Sequence, residues 1–516
     1  MMVLGGSAAQ THPVLVRAQA TESVSSSARL LLAKAEKALE AGNLREARSD
    51  LDKVLKEDPQ FAPAYLMLGT MELQAGDLKA STVDLQQATH LDPNCFGCHY
   101  NLALALLQEA NWRGAALELK QALALNPRSS DALYNLGMAL LELDNPAQAS
   151  IELWKAWALD SKRPDVAFNL IRAELAAREF TQAQETAEQA QRILDGDSKW
   201  LASVGQLFIQ AGLSRAAVIC LTQALQVDPN QELARSLLAE AYLNLDRPHD
   251  ALALISEPTT PGDDYLQASA YFLLGQPRKA QQALAAALRQ SPNEPRYLLL
   301  SARIDQQLGR HVSALQLLAQ ARRQAPNWPA IYYSSAVSYY FLRRYSDCRR
   351  SLDQTLRLNP RFGKALLLYA ETFVIEGRNA EAERYLRRAI AIEPDNARFQ
   401  FHLGALLLRE NRALEAYRAF QQVIVLKPDY ALAHYELGKM QIDSGHPEAA
   451  LSELKKAVFY KPDLAQAYYQ LGRAYDALGE KQKSASAFAR FNSLKKERAK
   501  REEEFLEFAD QELMAP

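Results

Sequence analysis

Apolar residues along this chain recur three and four positions apart, in stretches that stop at polar breakers and then resume. That is the spacing of one buried helix face. The whole pattern repeats every 34 residues. A proline marks the period at Pro59, Pro93, Pro127, Pro229, Pro292, Pro326, Pro360, Pro394, Pro428 and Pro462. Ser161 and Asp195 fill the slots between Pro127 and Pro229, so the register survives without the ring. With the proline as position 32, position 8 is small, from Ala35, Gly69 and Ala103 through Gly404, Gly438 and Gly472. Ile171 alone breaks that rule. Alanine recurs at position 20, with Ser81 and Cys348 among the departures. Larger apolar residues recur at position 7 (Leu68, Leu102, Leu136, Leu170, Leu403, Leu437, Leu471) and at position 24 (Leu51, Leu85, Leu119, Leu153, Leu221, Leu352, Leu386).

Breakers separate the two halves of each unit: Gly42-Asn43, Gly76-Asp77, Asn145-Pro146, Gly377-Arg378-Asn379 and Gly445-His446-Pro447. They predict turns between two antiparallel helices. The proline then stops the second helix, because it lacks an N–H and restricts the residue before it. A period in this range means a repeat array rather than one globular core. A single hairpin cannot bury its apolar face, whereas stacked hairpins can.

Leu133-Tyr134-Asn135-Leu136-Gly137, Ala433-His434-Tyr435-Glu436-Leu437-Gly438 and Ala467-Tyr468-Tyr469-Gln470-Leu471-Gly472, with the small residue at position 20 and the proline, resemble the tetratricopeptide repeat family. About 14 units cover residues 28–496. The resemblance implies an all-α fold, a right-handed superhelical α-solenoid of antiparallel hairpins. It also implies a non-catalytic protein–protein interaction scaffold whose concave groove holds extended peptides or subunits.

Composition narrows the partners. The formal net charge of −2 lacks the basic excess that nucleic acid favours. No run approaches the ~18 apolar residues of a membrane span. Residues 1–27 fall outside the repeat and are rich in Ser, Ala, Gln and Thr. They read either as a disordered tail or as a degenerate export signal ending at Ala18-Gln19-Ala20. The first reading favours the cytoplasm, and a truncated signal would place the protein in a bacterial periplasm or outside the cell. Residues 497–516, with Phe505, Leu506 and Phe508 after an alternation of Lys/Arg and Glu, are expected to form a capping helix over the last unit.

The period breaks once. Pro229 to Pro292 spans five residues fewer than two units, and the deficit follows Ala251-Leu252-Ala253-Leu254-Ile255, where Pro258 intervenes. A shortened second helix is expected there. It divides the array into units 1–7 (residues 28–258, the last truncated) and units 8–14 (residues 259–496).

No phosphate loop, dinucleotide fingerprint, His-Glu-x-x-His or nucleophile elbow occurs, and the histidines do not pair at metal-ligand spacing. No cofactor or metal is expected. Cys95-Phe96-Gly97-Cys98-His99 matches a c-type haem attachment pattern. But His99 occupies repeat position 4, as does His434, so the repeat accounts for it. A Cys95–Cys98 disulfide is the alternative if the protein is exported, and two reduced thiols are the reading for a cytoplasmic one.

In this family positions 2, 5, 6, 9 and 12 of each unit face the groove. Position 6 reads Asn101, Asn135 and Asn169 in consecutive units, beside Tyr100, Tyr134 and Phe168 at position 5. Amides that donate and accept can grip a peptide backbone, and the arrangement resembles the asparagine ladder of O-linked N-acetylglucosamine transferases. A second candidate is Tyr333 and Tyr340 at positions 5 and 12, with Tyr332, Tyr339, Tyr345 and Arg343, Arg344, Arg349, Arg350, Arg357 and Arg361 nearby. Such an aromatic, basic site suits an acidic peptide. Trp154 is expected to be exposed and Trp157 to pack against the next unit. Beside the scaffold reading stands a second one, a regulatory or substrate-binding partner of an enzyme on another chain, such as a glycosyltransferase. Self-association is a third outcome.

Overall fold

The computed structural model describes residues 26–194 and 197–513, without the side chains of 26, 40 and 498–513. Residues 1–25, which carry the tail or export signal, lie outside the described residues. All 28 elements among the described residues are α-helices, running in pairs from Ser26–Glu40 to Lys481–Leu513. The chain is an α-solenoid of helical hairpins.

Every hairpin turn holds one residue in the left-handed region. Glycine serves in most (Gly42, Gly76, Gly212, Gly275, Gly309, Gly377, Gly445, Gly479), and Ala110, Asp144, Arg178, Asp246, Arg343 and Asn411 serve in the rest. Glycine meets no Cβ penalty in that region. The joint between hairpins is equally regular. Asp58, Asp92 and Asn126 end their second helices in closely similar conformations, with φ between -132° and -135° and ψ between 86° and 93°. Each accepts the N–H two residues on through its side chain, at 3.0 Å for Gln60 and 3.1 Å for Asn94. Asp160 makes the same turn with Lys162 although no proline follows it. The short polar side chain therefore builds this joint along with the ring, and the register holds where the proline is missing.

Inside each hairpin the two helices touch at positions 8, 20 and 24. A Cβ added to Gly137 would sit 2.5 Å from Cγ of Leu153, and one added to Gly69 would sit 2.5 Å from Cγ of Leu85. Where serine replaces alanine at position 20, its hydroxyl stays satisfied: Ser81 Oγ donates to the Gly69 carbonyl at 2.7 Å, and Ser484 Oγ to that of Gly472 at 3.0 Å. Ile171 fits because Ala187 stands at position 24 of its hairpin, where the neighbours carry leucine; both are buried.

The chain forms two compact units, divided between Leu274 and Gly275. The helix Pro248–Leu254 has only seven residues and stops before Pro258. The division falls one helix later than that break. Helix Pro261–Leu273 packs on Glu232–Asn244 and Pro248–Leu254, so it completes the first unit. A capping box anchors its start: the Thr260 hydroxyl accepts from Asp263 N at 3.1 Å, and the Asp263 carboxylate accepts from Thr260 N at 3.2 Å. The eighth sequence unit is thus shared between the two bodies.

The C-terminal segment differs from expectation. It is no separate cap, because Lys481–Leu513 is one continuous helix of 33 residues. Lys496 occupies the proline slot of the last unit, so nothing stops the helix. The side chains of Phe505, Leu506 and Phe508 lie outside the described ones.

Candidate functional site

First helices of successive hairpins approach one another within each unit. In the first, Ala62–Ala75 meets Phe96–Gln108, and Pro164–Ala176 meets Ser198–Gln210; in the second, Pro295–Gln307 meets Pro329–Phe341, and Pro329–Phe341 meets Gly363–Ile375. These helices carry positions 2, 5, 6, 9 and 12, the ones expected to face the groove.

In the first unit the groove face is closed at helices Ala62–Ala75 and Phe96–Gln108 and partly exposed on the helices that follow. Gly97 through Leu107 are buried without interruption. The helix is apolar on every face apart from His99, Tyr100 and Asn101, whose polar atoms find partners inside the protein. The asparagine ladder is present, but it points inward. Asn101, Asn135 and Asn169 are at most 5 % exposed. Asn101 Nδ2 donates to Thr70 Oγ1 at 2.9 Å. Asn135 Nδ2 donates to the Tyr100 hydroxyl at 3.2 Å, and Asn169 Nδ2 to the Tyr134 hydroxyl at 3.1 Å and the Asp165 carbonyl at 3.0 Å. Each rung therefore ties one hairpin to the one before it. This corrects the expectation of free amides gripping a peptide: the hydroxyls of the preceding hairpin take the donors. Tyr100 and Tyr134 are buried too, and burial raises both phenols above their usual range. Phe168 is half-buried. The Arg163 guanidinium lies 5.0 Å above the Tyr134 ring, held by Asp131 at 2.6 Å and Asp165 at 2.7 Å. Trp157 is buried and Trp154 is exposed.

The Cys95 and Cys98 sulfurs are bonded to one another at the start of helix Phe96–Gln108. His99 is fully engaged, with Nδ1 2.6 Å from Glu118 and Nε2 3.0 Å from the Pro93 carbonyl. His434 repeats this clasp with Glu453 at 2.6 Å and the Pro428 carbonyl at 2.8 Å. Both ring nitrogens of each histidine face acceptors, so neither ring offers a nitrogen to a metal. Among the described residues no three His, Cys, Asp or Glu side chains converge as a metal site requires. No helix among them is long and apolar enough to cross a membrane.

The second unit leaves its inner face more open. Tyr333 and Tyr340 are half-buried. Tyr333 packs on Phe362 with ring centroids 5.1 Å apart, and Tyr340 meets Tyr345 edge-on at 6.1 Å. The sequence reading passed over the residues beside them. Arg398, at position 2 of its unit, is exposed and has no ion-pair partner among the described residues. Its charge reaches Tyr333, Glu371, His402 and Tyr430. Burial, reinforced by Arg398, lowers His402 to about 4, so the ring is neutral near pH 7. Burial raises the Glu371 carboxyl against the pull of Arg398. Glu371 and His402 stand 3.6 Å apart, too far for a good hydrogen bond. Reading positions 2, 6 and 9 down hairpins 11 and 12 would have found all three. Of the arginines crowding hairpin 10, several are already committed: Arg344 and Arg350 to Asp347, and Arg349 to Glu376 at 2.6 Å.

The profile of the tetratricopeptide repeat matches residues 32–94, 100–164, 333–397 and 435–492, and a second profile of the same repeat matches 271–337 and 373–435. No curated protein matches the sequence. Among solved structures, the chain is similar to one titled "Crystal structure of APC/C hetero-tetramer Cut9-Hcn1". The identity is 16%, over 87% of this chain and 96% of that one, with a TM-score of 0.43. It is also similar to "Structure of Naa15/Naa10 bound to HypK-THB", at 14% identity over 94% and 78% of the two chains, with a TM-score of 0.38. The matched segments together span about two thirds of the sequence, covering hairpins on both sides of residues 165–270. The chain is a member of the tetratricopeptide repeat family and has the architecture of a protein-interaction scaffold.

Proposed function

We propose that this scaffold has no chemistry of its own and binds an extended, acidic segment of a protein partner along the inner face of its second unit. The observation that supports this reading most is the exposed Arg398 guanidinium, which has no ion-pair partner among the described residues and whose charge acts on the half-buried Tyr333 ring. Lys364 and Lys439 occupy positions 2 and 9 of the hairpins on either side of the one that carries Arg398, and neither is ion-paired among the described residues. Tyrosines give rigid contact area at low entropic cost. Arginine supplies a bidentate fork for carboxylates. In the first unit the corresponding amide donors are buried and spent on internal bonds, which favours a site in the second.

Selection from a displayed random-peptide library on the full chain tests this. Wild type is expected to enrich peptides rich in Asp and Glu, and Tyr333→Ala/Arg398→Ala to lose them. Enrichment without acidic bias, or equal retention by the double variant, would refute the site.

A further inference from the structure

A second pocket lies on a different face of helix Pro329–Phe341, between Tyr345–Leu358 and His311–Gln324. Its volume is about 340 Å³. The cause is legible in the repeat. Position 7, leucine in hairpins 2 to 5 and 12 to 14, is Ser335 here. The missing side chain leaves a gap between two successive second helices, floored by a hydroxyl. Ser335 Oγ donates to the Ile331 carbonyl at 2.9 Å, so it is satisfied within its own helix.

The rim is basic. Arg322, Arg350 and Arg357 line it from two helices. Arg322 and Arg357 are exposed and have no carboxylate partner among the described residues. Gln354 lies on the same wall, and its amide has no hydrogen-bond partner among the described residues. The one acid at the site, Asp347, is already neutralised, by Arg344 at 2.6 Å and Arg350 at 3.2 Å. Two unpaired guanidinia and an amide thus converge on one cavity. A carboxylate brings one charge and two oxygens. A phosphate monoester brings nearly two charges and three acceptor oxygens, which suits forks arriving from two sides. The volume, about ten waters' worth, admits the ester together with the side chain that carries it.

We infer that this pocket binds a phosphorylated serine or threonine of a protein partner. The inference draws on the scaffold role of the family and is independent of the inner-face site. Calorimetric titration of the full chain with N-acetyl-O-phosphoserine methylamide tests it. The unphosphorylated compound and inorganic phosphate are run beside it at one ionic strength. Saturable binding of the phosphoserine compound alone is expected. Arg322→Gln and Arg357→Gln should each weaken it about tenfold, the loss of one charge-assisted hydrogen bond. Ser335→Leu restores the usual residue of the repeat and should abolish binding. The two arginine variants alter exposed, unpartnered side chains, so they carry the test even if the leucine disturbs packing. No saturable heat, or unchanged affinity in the arginine variants, would overturn the site. Inorganic phosphate binding as tightly as the ester would overturn its assignment to a protein-borne group.

Discussion

Ile171 and Ala187 offer a direct test of how the hairpins are packed. Elsewhere a small residue at position 8 faces a large one at position 24, as Gly137 faces Leu153 and Gly205 faces Leu221. A Cβ on Gly205 would lie 2.6 Å from Cγ of Leu221, below any real contact distance. A branched residue at position 8 and leucine at position 24 therefore exclude each other, and hairpin 5 has exchanged the two sizes. Ile171→Ala alone leaves a cavity and should cost about 2–5 kcal/mol. Ala187→Leu alone overpacks a site with no free volume and should cost about 1–3 kcal/mol. The double variant reproduces the pairing of Ala103 with Leu119, both fully buried in hairpin 3. It should cost less than about 1.5 kcal/mol, as volume-conserving exchanges do. The single costs sum to about 3–8 kcal/mol, so the coupling is at least about 1.5 kcal/mol. Repeat arrays open locally, so a single global unfolding energy is the wrong measure. Native-state hydrogen exchange over Pro164–Ala176 and Phe180–Ile193 is the right one, with about tenfold in rate for each 1.4 kcal/mol. Additive effects, with the double variant exchanging fastest of all, would refute the size-exchange argument.

Two further outcomes follow from the buried polar groups. Asn101→Ala/Asn135→Ala/Asn169→Ala should destabilise the first unit, by about 1–3 kcal/mol for each buried partner left unsatisfied. Hydrogen exchange across hairpins 2 to 5 reads this, and unchanged protection would show that the ladder does not join the hairpins. Glu174 is buried, and that burial, with Glu179 and Glu185 adding to it, raises its carboxyl to about 7 against the Thr186 hydrogen bond. Between the unfolded value of 4.5 and that folded value, the folded state holds the extra proton. The first unit should therefore gain stability as the pH falls from about 7 towards 4.5, by at most roughly 3 kcal/mol. Glu174→Gln should flatten this slope in thermal unfolding followed across that range, and an unchanged slope would assign it to other groups.

The sequence by itself determined the hairpin, its period and its joints. Those depend on local rules: a proline or short polar side chain that ends a helix, a turn residue that tolerates the left-handed region, and small residues where two neighbouring helices must touch. The long final helix was not foreseen, although its cause is local: Lys496 stands where a proline would have stopped it. Which polar residues remain free for a partner was not legible. Asn135 and Arg398 both occupy groove positions of the repeat. Only packing decided that the first spends its amide on Tyr100 and that the second keeps an unpaired charge. The pocket at Ser335 has the same origin. A serine in a leucine slot is visible in the sequence, but the cavity and its unpaired arginines exist only once three helices are brought together. Hydrogen-bond partners and solvent exposure are properties of side chains that lie a full repeat apart in the chain. They are set by the stacking of the hairpins, and the order of residues within one hairpin does not specify them.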